Sequence, residues 1–501
     1  MSKILEGIEP KKVFSFFEEI CSIPHGSYHV DAISDYLVEF AKKRGFFVLQ
    51  DKEKNVLIKK PASVGMEQAP AVILQGHMDM VCEKEPGIDF DFLTDGLRLR
   101  VQGDDITAEG TTLGGDDGIA VAYALAILSD DTIVHPALEA LFTTQEEVGM
   151  EGAFGFDVSS LEGRYLINID SEEEGSVLTS CAGGVTLAVT YPIQYETPKG
   201  SCFDIAIHGL KGGHSGADIH LGRANAIVLL FRLLQYLSFR DIGYQIASLS
   251  GGGKSNAIPR ESKAAIYIDE ADRDVLQNAI EEFLIQVTEE FAGQEEIKID
   301  IFPSGRCYDR VYADVPAKPL VHAMSHIRNG VYRMSKDMEG LVETSSNLGI
   351  LCVKEDVVEL VFSLRSSVEA ELNTLLHKIR DDISGDFDSY IASDEKDNLK
   401  EYLPSLKESN RYPGWQYKKD SKLRKLVCQV YEKQYHEPMK VEAIHAGLEC
   451  GIFASRMDVD IVSIGPDILD IHTPKETLKI ASVRRTYELL LEVLKRMGEL
   501  A

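Results

Sequence analysis

The sequence predicts an α/β protein: a domain built on a mostly parallel sheet, interrupted by an inserted α+β domain with two related halves. Three observations lead there. Up to about Gly184, amphipathic helices alternate with short apolar strands. The texture then shifts to longer strands and long helices, and from about Glu401 the first pattern returns. The 501 residues exceed what one core ordinarily holds, so at least two domains are expected. The borders fall at residues 1–186 and 401–501 for the interrupted domain and 187–400 for the insertion.

The elements are read in chain order. Helices are expected over Lys11–Cys21 and Val30–Arg44, then strands over Phe46–Leu49 and Asn55–Lys59. The run Ala71-Val72-Ile73-Leu74-Gln75 is apolar almost throughout, as in a central strand buried on both faces. A helix over Gly118–Leu128 and strands over Leu138–Thr143 and Tyr165–Ile169 follow. In the insertion, strands Cys202–His208 and Lys263–Ile268 alternate with helices Ala224–Leu237 and Arg273–Glu289. Ala264–Ile268 with its acidic helix resembles Val358–Phe362 with the helix near Val368–Arg380, and this weak similarity suggests the two halves. Helix Leu423–Tyr435, strand Lys440–Ile444, a helix after Gly447 and strand Val459–Ile464 complete the chain.

Composition narrows the function. There are 81 acidic against 52 basic residues, a net charge of −29, which disfavours nucleic acid and anionic lipid as partners. The first residues lack the apolar core of a secretion signal, and no run approaches the roughly 20 apolar residues that span a bilayer. Eight scattered cysteines without a C-x-x-C pair read as free thiols in a reducing compartment, so a cytoplasmic location is expected.

The chemistry is concentrated at strand ends, where sites form in open α/β sheets. Gln75-Gly76-His77-Met78-Asp79 follows the Ala71 strand, and Leu113-Gly114-Gly115-Asp116-Asp117-Gly118 leads into a helix. Thr144-Gln145-Glu146-Glu147-Val148-Gly149 follows the Leu138 strand, and Asn168-Ile169-Asp170-Ser171 ends another. Asp470-Ile471-His472-Thr473-Pro474-Lys475-Glu476 precedes a helix, with Thr473 suited to the N-cap, Pro474 to the first turn and Glu476 to the reciprocal capping position. Each segment alone has a plain structural explanation; Asp116 and Asp117, for instance, suit any helix start. Five together suit a metal site, and imidazoles with carboxylates and no thiolate fit Zn²⁺, Mn²⁺ or Co²⁺. Glu146 and Glu147 are adjacent, so a bend at the strand end is needed if both are to reach one site.

The ordered set G-H-x-D, G-G-D-D-G, E-E-x-G, I-D and I-H-T-P resembles the M20 family of metallopeptidases, and within it the aminoacyl-histidine dipeptidases, over essentially the whole chain. The resemblance implies two divalent ions per subunit, zinc first and manganese or cobalt as alternatives. His77, Asp116 and Asp170 match the ligands of one ion, Glu147 and His472 those of the other, with Asp116 bridging. Asp79 matches the carboxylate that orients His77, and Glu146 the general base. It also implies a cis peptide bond between Asp116 and Asp117.

In the insertion, the resemblance carries over to His214, in Gly209–Gly216, as the residue that reaches across a dimer interface to polarise the scissile carbonyl. A histidine in an exposed loop is the alternative. Asn256, in Asn256-Ala257-Ile258-Pro259, matches a substrate contact. Arg365 ends a strand and suits a substrate carboxylate, with a plain surface arginine as the other reading. His445 and Glu449, in His445-Ala446-Gly447-Leu448-Glu449, stand where family members touch substrate, Glu449 as receiver of a free α-amine, although this segment departs from the commoner R-G-G pattern. His25, His29, His135, His220 and His436 have no supporting constellation and are read as structural or exposed.

The expected function is therefore hydrolysis of small peptides by a cytoplasmic homodimer, with Xaa-His dipeptides implied as preferred substrates and the insertion as a lid and dimerisation domain. An N-acyl amino acid deacylase or tripeptidase of the same fold is the alternative. A metal-stabilised dimeric scaffold without catalysis is the non-enzymatic one.

Overall fold

Every residue of the strand Val72–His77 is buried, as an apolar run between two paired neighbours requires. A computed structural model places it at the centre of an eight-stranded sheet; residues 4–291, 293–390 and 403–501 are described. The chain forms two compact units. The first comprises residues 1–181, 415–443 and 448–501, and the second residues 182–414 and 444–447.

The first unit's sheet is mixed. Its middle four strands, Leu138–Thr143, Val72–His77, Tyr165–Asn168 and Asp460–Ser463, run parallel. Phe47–Gln50 and Val56–Lys60 form an antiparallel hairpin that pairs antiparallel with Leu138–Thr143, and Ser176–Cys181 runs antiparallel to Asp460–Ser463. The mostly parallel sheet expected from the sequence is thus corrected. The cause is short connections, which reverse the chain where a parallel pair needs a long crossover. In the hairpin, Asp51 Oδ1 accepts N–H bonds from Glu53 and Asn55 at 3.0 and 2.9 Å and tightens the turn. Helices Lys11–Cys21 and Gly115–Leu128 contribute Phe14, Phe17, Ile20, Ile119 and Leu125 to the core of this unit.

The second unit is α+β around a nine-stranded sheet whose resolved pairings are antiparallel. Helices Ala226–Phe239, Arg273–Glu290, Asp314–His326 and Glu369–Tyr390 cover it. Strand Ser262–Ile268 precedes the second of these helices and strand Val357–Ser366 the fourth. The 400/401 border read from the sequence lies outside the described residues. Strand Ser405–Tyr412 pairs with Gly183–Pro192, which carries this unit on to Gly414. Among the described residues no helix is long and apolar enough to cross a membrane, and all eight cysteines are free.

Candidate metal centre

Four of the five expected ligand segments lie at the carboxyl edge of the parallel strands or in the helix start beside it. His77 ends its strand, Asp170 lies just beyond Tyr165–Asn168, and Glu147 lies beyond Leu138–Thr143. Between Thr143 and Glu147 the backbone bends at Gln145, with φ of 58°, which supplies the bend that adjacent Glu146 and Glu147 require. Asp116 lies outside helical conformation, with ψ of 103°, so the regular turns begin at Gly118. The Asp116–Asp117 peptide bond is cis. Behind His77, Gly76 leaves no room for a Cβ, which would lie 2.5 Å from Asp117 Oδ2 and 2.6 Å from Ala120 Cβ. The fifth segment is a loop in which Asp470 and His472 both adopt left-handed φ, 52° and 59°.

These segments converge. His77 Nε2 lies 3.2 Å from Asp116 Oδ1 and 3.4 Å from Asp170 Oδ1. His472 Nε2 lies 3.2 Å from Asp116 Oδ2 and 3.0 Å from Glu147 Oε1. Although so close, Glu147 Oε1 makes no hydrogen bond. Two donors that each bind one ion at about 2.1 Å, at angles between 90° and 110°, must sit about 3.0–3.4 Å apart. All four separations fall in that range, so the donor set fits two divalent ions sharing Asp116. The sets His77–Asp116–Asp170 and Asp116–Glu147–His472 each keep one donor atom per residue within 4.8 Å. A third set, His77–Glu146–Glu147, meets the same spacing, so spacing alone does not separate the two glutamates. The approach of Glu147 to His472 does.

The electrostatics suit a cation. Burial opposes a charge on His77, but Asp170, Asp116 and Asp79 outweigh it and raise its pKa well above the usual imidazole value. Asp116 and Glu147 hold His472 up at about 10. Burial raises Asp170 to about 6 and pushes Glu146 well above the ordinary carboxylate range, aided by Asp170, Glu449 and Glu147 against His77. Carboxylates packed this densely draw protons onto their histidines, and divalent cations answer the same excess of negative charge. Asp79 lies beside the His77 ring, whose Nδ1 is 2.9 Å from the Asp79 carbonyl oxygen and 3.6 Å from its carboxylate. That carboxylate accepts from the Ser27 hydroxyl and the Glu146 N–H at 2.8 and 3.2 Å. The ring is therefore oriented first through the backbone of Asp79.

A second cluster lies within the second unit. Gly213–His214 pairs with Ala257–Ile258, and the Asn256 carbonyl accepts from Ser215 N–H at 2.8 Å, so exposed Asn256 adjoins the His214 loop. His214 Nδ1 accepts N–H bonds from Gly216 and Ala217 at 3.3 and 3.0 Å, which leaves the proton of the neutral ring on Nε2. Burial, then Arg365, lowers the His214 pKa and keeps the ring neutral. A Cβ on Gly216 would lie 2.4 Å from the His445 carbonyl oxygen and 3.1 Å from His214 Cε1, so the two segments touch. His445 Nε2 is 2.7 Å from Ser345 Oγ, and burial with Arg365 pushes its pKa down to about 3. Arg365 Nη1 donates to the Tyr412 hydroxyl at 2.9 Å. Arg365 Nε and His445 Nδ1 are buried without hydrogen-bond partners.

With both clusters placed, comparison with known proteins decides the family. The model of peptidase family M20/M25/M40 matches residues 73–496. The chain belongs to that family. This M20 chain is 36% identical over 498 residues to the cytosol non-specific dipeptidase of Escherichia coli strain K12, covering 98% of this chain and 99% of that one. Its structure matches that of the aminoacylhistidine dipeptidase from Vibrio alginolyticus with a TM-score of 0.89 and 35% identity, covering 99% and 98% of the two chains. Aminopeptidase PepT from Bacillus cereus shares the fold at a TM-score of 0.56 and 15% identity, covering 98% and 99%.

Two sequence readings change in this M20 chain. The segment after His472 is a turn, and the helix starts only at Ile480, so Thr473, Pro474 and Glu476 do not cap it. Glu476 turns instead to the loop before Gly118. Its carboxylate accepts from Leu113 and Gly114 N–H at 2.8 and 3.2 Å, and from Gly115 and Asp116 N–H at 2.8 and 3.2 Å. Glu449, expected to meet a substrate amine, is 0% exposed and accepts from Gln75 Nε2 and the Thr143 hydroxyl at 2.5 and 2.6 Å. It supports the strands beneath the metal centre. Burial raises its pKa to about 8. Gln75 was a legible signal, since a polar side chain inside a fully buried strand needs a partner. Tyr412 carried none. Its ring fills space that Cβ atoms on Gly184 and Gly447 would occupy, at 2.6 and 2.8 Å.

Proposed function

We propose that this chain is a two-metal dipeptidase that hydrolyses Xaa-His and related dipeptides in the cytoplasm. The observation that carries the reading is Asp116, set between His77 and His472 at the spacing of a shared ligand, in a peptidase family and beside full-length relatives that are dipeptidases. His77, Asp116 and Asp170 would hold one ion, and Asp116, Glu147 and His472 the other, zinc being the metal the donors suit best.

Bound divalent ions supply Lewis-acid activation of water and of the scissile carbonyl. The residues do the rest. Glu146, a buried carboxylate whose pKa burial raises above the ordinary range, takes the proton of the attacking water and passes it to the leaving amine. Asp79 keeps the His77 ring in place and anchors the Glu146 backbone. His214 offers Nε2–H to the carbonyl oxygen as charge develops there. Arg365 and His445, with unpartnered nitrogens, take the substrate carboxylate, and Asn256 adds a polar contact. The second unit serves as lid and dimerisation domain, and its two strand-then-helix pairs are its related halves. A homodimer in which His214 acts on the partner's substrate completes the reading. The name of the Escherichia coli relative supports the cytoplasmic location.

The test is a side-by-side assay of dipeptides, tripeptides and N-acetyl amino acids on the purified protein. Dipeptides should be turned over fastest, with Xaa-His among the best. Faster cleavage of tripeptides or N-acetyl amino acids would replace the dipeptidase reading by its alternatives, and inertness toward all three would leave the scaffold.

A further inference from the structure

We infer that Glu476 is a positioning residue that ties the loop of Asp116 to the loop of His472, and so sets the affinity of the ion those two residues share. The inference rests on the two-metal reading above. Each Glu476 oxygen accepts two backbone N–H groups, Oε2 from Leu113 and Gly114 and Oε1 from Gly115 and Asp116. The side chain is 3% exposed. Four converging donors make a backbone nest with partial positive charge, and an anion of this shape fills it. The last donor is the N–H of Asp116 itself, so the carboxylate holds the bridging residue at its own backbone.

The other end of the tether is His472, four residues earlier. Between them the Thr473 hydroxyl donates to the Asp470 carbonyl at 2.7 Å and the Glu476 N–H to the Thr473 carbonyl at 3.1 Å, which closes the turn. Directly after Glu476, strand Thr477–Lys479 pairs with Asp105–Ala108. The left-handed residues Asp470 and His472 hold conformations that an unanchored loop would relax from. The space is tight as well, since a Cβ on Gly115 would lie 3.2 Å from Glu476 Oε1. The bond to the nest thus fixes how Asp116 Oδ2 and His472 Nε2 face one another.

A merely structural carboxylate gives the contrast. Glu139 is also buried and accepts N–H bonds from Glu162 and Gly163, but it sits at the opposite end of its strand from Glu147. Glu476→Gln keeps the shape but turns an amide NH₂ toward two of the donors. Glu476→Asp keeps the charge at shorter reach and is the fallback if the first variant folds poorly. Affinity for Mn²⁺ and Zn²⁺ is measured by competition with a chromophoric chelator, together with the melting temperature, on wild type, Glu476→Gln, Glu476→Asp and Glu139→Gln. Affinity should fall about 10–100-fold in Glu476→Gln and less in Glu476→Asp, with turnover recovering in excess metal. Glu139→Gln should melt earlier with unchanged affinity. Equal affinity in wild type and Glu476→Gln, whatever the melting temperature, overturns the inference. Absence of metal uptake by the wild type would instead sink the two-metal reading on which it rests.

Discussion

Asp116 turns one carboxylate oxygen to His77 and the other to His472, each at 3.2 Å. Its two nitrogen neighbours come from opposite ends of the chain, a strand that ends at His77 and a loop near the C-terminus. A carboxylate in that position is placed to serve two ions at once.

Glu146→Gln removes the proposed base but none of the five proposed ligands. Turnover of dipeptides should fall about 10²–10⁴-fold. Metal content, measured by elemental analysis, should match wild type. Loss of metal with activity would make Glu146 a ligand, as the His77–Glu146–Glu147 spacing also allows.

Tyr412→Phe withdraws the hydroxyl that accepts from Arg365 Nη1 at 2.9 Å. One hydrogen bond to a charged group contributes roughly 1.5 kcal/mol, so KM for dipeptides should rise about tenfold with kcat little changed. An unaltered KM would remove Arg365 from the carboxylate subsite.

His445 links stability to pH. Its pKa is about 3 in the fold, through burial and Arg365, against an ordinary value of 6.5. Between those values the unfolded chain binds a proton that the folded one does not. The contribution of the neutral ring is therefore complete above pH 6.5 and is lost as pH falls toward 3. The unfolding free energy of wild type, from urea titrations, should drop over this window more steeply than that of His445→Gln, by up to roughly 1 kcal/mol per pH unit. Parallel curves would show that His445 is protonated in the folded protein as well.

Gly76→Ala places a methyl group 2.5 Å from Asp117 Oδ2 and 2.6 Å from Ala120 Cβ. Overpacking at such a site costs about 1–3 kcal/mol, and His77 must shift with its neighbour. Both the melting temperature and metal affinity should fall; a normal melting temperature would mean that the Gly115–Leu128 helix can move away.

What could be read from the sequence follows from where the signals are local. Val72–His77 is legible because a strand buried on both faces shows as a nearly continuous apolar run, and the proposed ligands because they stand at strand ends, a helix start and a loop before a helix. Hidden were features set by tertiary partners. Nothing near Tyr412 announces that Gly184 and Gly447 make room for it. Glu476 looks like a capping residue because its neighbours Thr473 and Pro474 suit a helix start, yet the nest at Leu113–Asp116 claims its carboxylate. Strand direction at the sheet edges depends on connection length, which apolar pattern does not encode.

The most direct test of the account is anomalous scattering from crystals grown with Mn²⁺. It predicts two peaks about 3.5–4 Å apart, one among His77, Asp116 and Asp170 and the other among Asp116, Glu147 and His472. A single peak, or manganese bound away from Asp116, would contradict it.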